Sequence, residues 1–596
     1  MPDPHHARRP RRARAGTDPT GNGRVRIRRV GQGGGAFGSI DGLLRQVYSN
    51  RGAAGVGAGG LVELLPAAAL LGIDAAAALL ADRIQAGGRL LIVGDFDADG
   101  ATGTAVGVLG LRGLGAADVD YLTPSRFEHG YGLSPAVVDA AAERRPDLLI
   151  TVDNGIASLA GVERAREHGI PVLITDHHLP GAELPAAAAI VNPNQPGCDF
   201  ASKHVAGCGV MFYLLAATRA ELSHRGWFAG AGAPAGRAVP NLAQLLDLVA
   251  LGTVADVVTL DRNNRILVEQ GLRRIRAGAC RPGLRALLEV AGCRVDGVTA
   301  RDLGFAAGPR LNAAGRLDDM GIGVECLTTD DPVRAMRLAQ QLNGLNGERR
   351  EIEHGILDEA VALVEREAGQ RDRLPAALCV YGAHWHEGVI GIVAARIRER
   401  WHRPAIVFAD GGDGTLRGSA RSIDGLHIRD VIDAVHKRRP ELIERFGGHA
   451  MAAGLSLGRD ALADFRDAFT AEVERQLGTE PAVREILSDG ELPPSLLTLQ
   501  TAEALRRAGP WGKGFAEPVF DGVFAVSHTT LAADRHLKLR VRPDGAAPLD
   551  AIGFHLAEHR GAVGDHVRLA YRLDINEYRG LKAAQLVFEH LEPVPG

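Results

Sequence analysis

Short apolar runs alternate with longer segments of helical period between about residues 60 and 270. Three of these runs, RLLIVG (89–94), DLLITV (147–152) and PVLIT (171–175), are apolar at nearly every position. Strands of this kind are buried on both faces, as in a parallel sheet that helices cover. The helical segments between the runs supply the crossovers that parallel strands need. The pattern therefore predicts an α/β domain with a parallel sheet, in which NLAQLLDLVALGTVADVV (241–258) is a buried helix.

The hydrophobic pattern places this first α/β domain at residues 46–324 and predicts further domains after it. A long charged stretch of helical period within 325–374 predicts a connecting helix. Strand and helix patterns over 375–480 predict a second α/β domain, and short alternating runs within 481–596 predict a linker and a small β-barrel. Residues 1–45 are rich in Arg, Gly and Pro, which predicts a disordered basic tail.

Composition narrows the function classes only slightly. The chain has 596 residues and a formal net charge of −4, which does not exclude nucleic acid, because a basic groove can lie on an acidic protein. No apolar run approaches the roughly 20 residues of a membrane span, and the six cysteines form no CxxC pair. We therefore expect a cytoplasmic protein without membrane contact. The basic residues are almost all arginine, so a single Arg is a weak signal; lysine occurs at Lys203, Lys437, Lys513, Lys538 and Lys582.

Acidic and imidazole side chains follow all three continuous runs. They are Asp95, Asp97 and Asp99 after the first run, Asp153 after the second, and Asp176, His177 and His178 after the third. Because the carboxyl ends of parallel strands meet at one edge of a sheet, these groups should lie together. Clustered carboxylates repel unless cations neutralise them, and oxygen ligands with a few imidazoles suit Mn²⁺ or Mg²⁺ better than a structural zinc.

Each of these signals has a plainer alternative. An acidic triplet in a loop is usually solvated turn chemistry, and a single Asp after a strand, such as Asp153, is often a helix N-cap. Their joint occurrence at the strand ends of one sheet favours the metal site. Asp256, at the end of an otherwise apolar helix, adds an acid that is costly there unless it is paired or on a metal.

The motifs GDFDADG, VDNG, TDHH and GTVADVV resemble the four motifs of the DHH phosphoesterase superfamily. Five further segments resemble, in the same order, those of its single-strand-specific 5′→3′ exonucleases: PSRFEHGYGL (124–133), GPRLNAAGR (308–316), GSARS (418–422), GGHAMAAG (447–454) and GPWGKGFAEP (509–518). The last segment has Phe515 where Asn is the commonest residue, which puts a contact of the linker in doubt. The resemblance implies a DHH domain, a DHH-associated domain and an OB-fold-like barrel.

By this resemblance, two metal ions would be held by Asp95, Asp97, Asp99, Asp153, His177 and Asp256. Asp153 would bridge the ions, and His178 would complete the catalytic set near the scissile phosphate. The phosphate and DNA contacts would be Arg126, Arg310, Arg316, Ser419, Arg421 and His449.

The residues alone leave these contacts open. Ser419 and Arg421 flank Ala420, so on a strand they face the same side, as a phosphate clamp or as an ordinary solvated face. His449 suits a phosphate contact or a glycine-rich turn, and Arg310 and Arg316 suit DNA contacts or a plain surface.

The resemblance implies a monomeric exonuclease that degrades single-stranded DNA 5′→3′ to mononucleotides in repair and recombination, beside a helicase and a single-strand-binding protein. One alternative is another DHH phosphodiesterase, of the oligoribonuclease or cyclic-dinucleotide type, against which the C-terminal barrel argues. A second is a non-catalytic DNA-binding replication scaffold, against which the complete set of metal ligands argues.

Overall fold

A computed structural model describes residues 16–17, 24–30, 37–53, 55–125, 132–228, 238–369, 374–412, 414–478 and 483–594. The chain forms two compact units. The parallel-sheet unit consists of Arg51–Arg350 and Arg506–Glu517. The barrel-containing unit consists of Met1–Asn50, Glu351–Leu505 and Pro518–Gly596.

The parallel-sheet unit is built on five parallel strands, as the continuous apolar runs predict. In spatial order they are Asp118–Leu122, Arg89–Gly94, Leu148–Val152, Val172–Thr175 and Ala189–Val191. The three central strands are buried almost throughout, since their Leu, Ile and Val side chains pack under helices on both faces. Gly94 pairs with Val152, and Val152 pairs with Thr175, so these strands end level with one another.

Helices surround this sheet. They are Ile73–Ala86, Ala98–Leu114, Pro135–Ala142, Leu159–Glu167, Gly207–His224, Leu246–Ala255, Arg262–Arg276, Pro282–Val290, Gly308–Leu317 and Gly321–Thr328. A π-helical turn, Leu303–Ala307, leads directly into Gly308–Leu317. Among the described helices, none alone has the length and hydrophobicity to cross a membrane; the bent pair Leu61–Ala69 and Ile73–Ala86 reaches them only when its two parts are taken together.

A helix of 38 residues, Pro332–Gly369, occupies most of the segment where a connecting helix is predicted. It begins in the parallel-sheet unit and ends in the barrel-containing unit.

The barrel-containing unit holds a second α/β layer and a closed barrel. The layer has five strands, in the order Arg445–Gly448, Ala452–Gly458, Thr415–Arg421, Ala405–Asp410 and Leu378–Gly382. Its helices are Ile390–Trp401, Ile428–Arg438 and Leu462–Leu477. The barrel closes in the order Phe520–Ala532, His536–Arg542, Leu549–Gly553, Leu581–Pro593 and His566–Tyr578, which confirms the predicted barrel.

The segment Arg24–Arg29 corrects one prediction. It is a strand that pairs in parallel with Arg484–Ser488, and Arg29 donates to the buried carboxylate of Asp521 at 2.9 Å. In RVRIRR, apolar side chains alternate with arginines. The apolar side chains therefore share one face of the strand, and arginines can pair with acidic residues. The prediction of a disordered tail over 1–45 is therefore wrong for this strand. The first 15 residues of the tail lie outside the described residues.

Candidate metal centre and phosphate contacts

The loop after the strand Arg89–Gly94 presents three aspartates. Asp97 is the N-cap of the helix Ala98–Leu114, and its carboxylate accepts from the backbone N–H groups of Asp99 and Gly100, both at 2.9 Å. Asp95 and Asp99 are buried. The helix N-terminus therefore fixes the loop that carries all three carboxylates.

Asp99 is held from a second direction. Its carboxylate accepts from the backbone N–H groups of Gly207, at 2.6 Å, and Cys208, at 3.1 Å, which open the helix Gly207–His224. Two helix N-termini thus converge on the acidic loop, and both favour negative charge there.

The neighbouring elements bring their acidic and imidazole groups to the same place. His177 Nε2 lies 3.0 Å from Asp153 Oδ1 and 3.5 Å from Asp256 Oδ2, and His178 Nδ1 lies 3.9 Å from Asp153 Oδ1. Asp153 has φ +64°, a left-handed conformation that is uncommon outside glycine. Strain of this kind is found where the surroundings fix a functional group.

All seven predicted metal-site and catalytic side chains of this unit lie together. Ligand atoms within 4.8 Å of one another form three groups: Asp95, Asp97 and Asp153; Asp99, His177 and Asp256; Asp153, His177 and His178. The strand ends and the end of the helix Leu246–Ala255 thus lie together, as the sequence predicts. The role of each residue as a metal ligand stays a prediction.

Burial and mutual repulsion make this cluster electrostatically costly. Burial, followed by the charges of neighbouring aspartates, raises the pKa of Asp153 and of Asp256 well above the usual range. Burial and the Asp97 charge raise the pKa of Asp99 to about 6. Burial and the charge of His178 lower the pKa of His177 to about 4, so this imidazole is neutral at pH 7. Without cations, the cluster retains protons that metal binding would displace.

The donor set fits a divalent cation. Within the described residues, the buried Nε2 of His177 and Oδ2 of Asp256 make no hydrogen bond, although buried polar atoms are nearly always partnered. A cation between them would satisfy both atoms. Carboxylate oxygens with one neutral imidazole are ligands suited to Mn²⁺ or Mg²⁺.

Asp176 belongs to the site, although the sequence-based set of site residues did not include it. Its buried carboxylate accepts from the backbone N–H groups of Ile156, at 2.9 Å, and His177, at 2.7 Å, and lies 2.7 Å from His178 Nδ1. Burial opposes a charge on His178, but the contact with Asp176 outweighs it and raises the pKa of His178 to about 9. Asp176 therefore holds His178 as an imidazolium. Its position at the same strand end was the signal that could have identified it.

The segment GPRLNAAGR packs against the acidic loop. Asn312 Oδ1 accepts from the backbone N–H of Ala98 at 2.8 Å. A Cβ on Gly315 would lie 1.8 Å from the carbonyl oxygen of Phe96, so only glycine permits this approach. Arg316, the next residue, is half-buried. This motif thus contacts the backbone of the loop that carries the aspartates.

Arg310 has partners within the protein. It is buried, its Nε donates to Asn343 Oδ1 at 3.0 Å, and its Nη1 donates to the carbonyl of Ala306 in the π-helical turn at 2.7 Å. This geometry gives Arg310 a structural role, and its DNA contact stays a prediction.

Ser419 and Arg421 lie side by side on the strand Thr415–Arg421, as the alternation predicts, and Arg421 Nη1 donates to Ser419 Oγ at 3.2 Å. Both face the first turn of the helix Ile390–Trp401. A Cβ on Gly391 would lie 2.9 Å from Ser419 Oγ and 3.0 Å from Arg421 Nη2. A hydroxyl, a guanidinium and a helix N-terminus thus share one position, which favours an anion.

The two other predicted phosphate contacts are less defined. His449 is exposed in the turn between Arg445–Gly448 and Ala452–Gly458, where its Nδ1 accepts from the backbone N–H of Met451 at 3.3 Å. Arg126 lies outside the described residues.

Comparisons with known proteins agree with these features. Residues 89–253 match the family described as "DHH family, N-terminal domain", residues 375–475 match the "DHHA1 domain", and residues 488–590 match the "RecJ OB domain". The single-stranded-DNA-specific exonuclease RecJ of Escherichia coli is 51% identical over 562 residues, which cover 93% of this chain and 96% of the relative. The exonuclease of the same name from Dickeya dadantii is 53% identical over 562 residues, with 93% and 97% coverage.

Solved structures give the same result. RecJ from Thermus thermophilus in complex with Mn²⁺ has a TM-score of 0.77 at 30% identity, covering 96% of this chain and 80% of that one. The Mg²⁺ complex has a TM-score of 0.72 at 29% identity, with 96% and 79% coverage. These matches confirm the predicted resemblance to the single-strand-specific exonucleases of the DHH superfamily.

Proposed function

Because this chain belongs to the RecJ family of single-stranded-DNA-specific exonucleases, we propose that it hydrolyses single-stranded DNA from the 5′ end to mononucleotides, with Mn²⁺ or Mg²⁺ as cofactor. The observation that carries the proposal is the cluster of seven carboxylate and imidazole side chains at the edge of the parallel sheet. A non-catalytic scaffold would have no need to hold so many buried acids against their own repulsion. Another DHH phosphodiesterase would not account for the OB domain.

The cluster supports two cation positions. Asp95 and Asp97 group with Asp153, their ligand atoms lying within 4.8 Å of one another, and Asp99 and Asp256 group with His177 in the same way. His177 Nε2 lies 3.0 Å from Asp153 Oδ1. Asp153 would then be the shared ligand. Two bound ions would lower the pKa of a water and stabilise charge on the phosphate during in-line displacement. Titration of the metal-free protein with Mn²⁺ should give two sites per chain, and one site would contradict this assignment.

The protein's own groups orient the phosphate. His178 is half-exposed, and Asp176 holds its imidazolium in place, so it can donate a hydrogen bond to a phosphate oxygen or hold a proton near the leaving group. His177 is neutral, which leaves its Nε2 free to act as a ligand.

Ser419 and Arg421 would hold the 5′ phosphate. The support is the guanidinium and hydroxyl at the start of the helix Ile390–Trp401. A terminal phosphate carries about one more charge than an internal one, so it binds a guanidinium more strongly. Loss of one guanidinium contact should weaken phosphate binding by on the order of 1.5–3 kcal/mol. Arg421→Ala should therefore slow hydrolysis of 5′-phosphorylated strands more than that of 5′-hydroxyl strands. Equal losses on both would mean that Arg421 positions the backbone generally.

The wider setting is also part of the proposal. The family suggests a cytoplasmic monomer that acts in repair and recombination, with a helicase and a single-strand-binding protein supplying the strand. Light scattering on the purified chain tests the monomer, and co-purification with each class of partner from the native host tests the contacts.

The decisive experiment is an exonuclease assay on single strands labelled at either end, with Mn²⁺, Mg²⁺ or EDTA. We expect labelled mononucleotide to appear first from the 5′ label, in both metals and not in EDTA. Blunt duplex of the same sequence should be a poor substrate, because a channel shaped for one strand excludes two. Equal rates on blunt duplex, or release from the 3′ label first, would overturn the proposal.

A further inference from the structure

The segment Arg506–Glu517 leaves the barrel-containing unit and folds into the parallel-sheet unit. Trp511 and Phe515 stack within it, with ring centroids 5.3 Å apart and planes 8° apart. Phe515 is buried, and the guanidinium carbon of Arg265 lies 3.7 Å from its ring centroid. Phe515, which stands where Asn is the commonest residue, thus makes a cation–π contact that anchors the segment.

The rings of Trp511 and Phe515 stack beside a tight turn, Gly512–Phe515, which we call the linker turn. Gly512 and Phe515 exchange backbone hydrogen bonds of 2.9 and 3.1 Å, so Lys513 and Gly514 occupy its tip. The backbone N–H of Leu260 donates to the carbonyl of Lys513 at 2.7 Å. A Cβ on Gly514, which has φ +74°, would lie 2.4 Å from Thr259 Cγ2. The linker turn therefore rests directly on the loop that follows Asp256.

This contact brings a cation to the acidic cluster. Lys513 is exposed at the tip of the linker turn, and its ammonium charge favours the ionised form of Asp256, as does His178. Asp256 is otherwise surrounded by the repulsive charges of Asp99 and Asp97. Lys513 thus lies close enough to Asp256 for its charge to act on that carboxylate, and it is exposed to solvent.

The residue type is informative in this chain. Lysine occurs at only five positions among 68 basic residues, so composition alone would have placed arginine at 513. The other lysine of the parallel-sheet unit, Lys203, donates to two backbone carbonyls at 2.7 Å each, a task for a compact ammonium. Lysine at the linker turn similarly provides a compact charge with rotatable donors rather than a planar fork.

We propose that Lys513 is a further substrate-binding residue, which contacts a backbone phosphate of the single strand beside the metal centre. This inference rests on the proposed nuclease function and adds a contact from the linker to the groups of the DHH domain. A strand whose phosphate is bound at the acidic cluster would pass close to the loop after Asp256, on which the linker turn rests.

The test compares Lys513→Gln and Lys513→Arg with the wild type, using initial rates on short 5′-phosphorylated single strands at several salt concentrations. Lys513→Gln should raise KM about tenfold and change kcat less than about threefold, because it removes one phosphate contact. The slope of log(1/KM) against log salt should fall by about 0.7, the value for one phosphate on a single strand. Lys513→Arg, which keeps the charge but replaces the compact ammonium by a planar fork, should raise KM less than Lys513→Gln does.

Two further measurements separate this role from others. Lys437→Gln is the matched control, because Lys437 is an exposed lysine paired with Asp433 on the helix Ile428–Arg438, and its KM should equal that of the wild type. Mn²⁺ titration without DNA should show a smaller change between Lys513→Gln and the wild type than the change in KM. An unchanged KM with altered Mn²⁺ affinity would mean that Lys513 only neutralises Asp256, and would overturn the proposal. An inactive wild type would instead reject the proposed function itself.

Discussion

The two units bury carboxylates in opposite ways. In the parallel-sheet unit, Asp99, Asp153 and Asp256 face other acids, and the pKa of each is raised by burial and by repulsion. In the barrel-containing unit, Glu472 accepts from Arg475, Gln476 and Arg438, and these contacts lower its pKa to about 2.

Asp521 shows the same pattern as Glu472. Its side chain is fully buried, but hydrogen bonds from Arg29, Ser488 and Arg568 outweigh burial and lower its pKa. A carboxylate with internal cations stabilises the fold, whereas one that faces other acids opposes folding until cations arrive from solution. In these residues, the difference separates acids that face other acids from acids that are paired with arginines.

The largest expected effect follows from removing a cluster acid. Asp153→Asn should lower the rate of DNA hydrolysis by more than about 1,000-fold, because it removes the charge that both cation positions share. Its melting temperature in EDTA should not fall, since one source of repulsion is gone. Near-normal turnover in Mn²⁺ would contradict the assignment.

A matched control is available in the same unit. Asp247 is buried and accepts from the backbone N–H groups of Leu248, at 3.0 Å, and Arg281, at 2.7 Å, but it belongs to none of the candidate metal-binding groups among the described residues. Asp247→Asn should retain metal-dependent hydrolysis even if the protein loses stability.

The second effect concerns metal and pH together. The pKa of Asp99 rises from 3.8 to about 6 on folding, so between these values the unfolded chain binds fewer protons than the native one. Without metal, this group therefore makes stability fall as pH rises from about 4 to above 6. Mn²⁺ at 100 times its dissociation constant should stabilise the fold by about 2.7 kcal/mol for each bound ion. Thermal melts in EDTA and in Mn²⁺ should diverge as pH rises; parallel curves would contradict the comparison.

A smaller effect is expected when a paired acid loses its charge. Asp521→Asn should lower the free energy of unfolding by about 1–3 kcal/mol, because Arg29 and Arg568 lose a buried counter-charge. Urea denaturation measures this change. The control is Glu485→Gln, which removes a half-exposed surface ion pair with Arg28. Its free energy of unfolding should change by less than about 1 kcal/mol. Equal changes in the two variants would remove the distinction between buried and surface pairs.

The smallest expected effect is the loss of stability at low pH, when Glu472 becomes protonated. Because its pKa is lowered to about 2, its contribution to stability is complete above about pH 4.5 and is lost as pH falls towards 2. Glu472→Gln should therefore flatten the dependence of stability on pH in that window. An unaltered acid limb in denaturation curves of the variant would show that the arginines do not stabilise the ionised form.

The site could be predicted from sequence because its signals are local. An apolar run followed by Asp95 or Asp153 identifies a strand and its carboxyl end in one segment, and parallel pairing then brings the ends together. Asp176 was harder, since a buried aspartate that accepts hydrogen bonds and one that holds a metal have the same sequence context. Only its contact with His178 separates the two roles.

Long-range pairing set the remaining limits. The strand Arg24–Arg29 depends on partners more than 450 residues away, as in the contact of Arg28 with Glu485, so composition alone indicated a tail. Arg310 illustrates the same limit for side chains. Its sequence motif suggested a DNA contact, which stays a prediction, whereas its hydrogen bond to Asn343 becomes visible only in the folded chain.

The pairing of Arg24–Arg29 with Arg484–Ser488 also has a consequence for synthesis. During translation, the N-terminal strand emerges first and waits for its partner until most of the chain has left the ribosome. The five strands of the parallel sheet are complete by Val191 and can assemble long before that. The barrel-containing unit, made of three separate stretches, can close only near the end of synthesis. A chain that stops early is therefore left with an unpaired arginine-rich strand near its beginning.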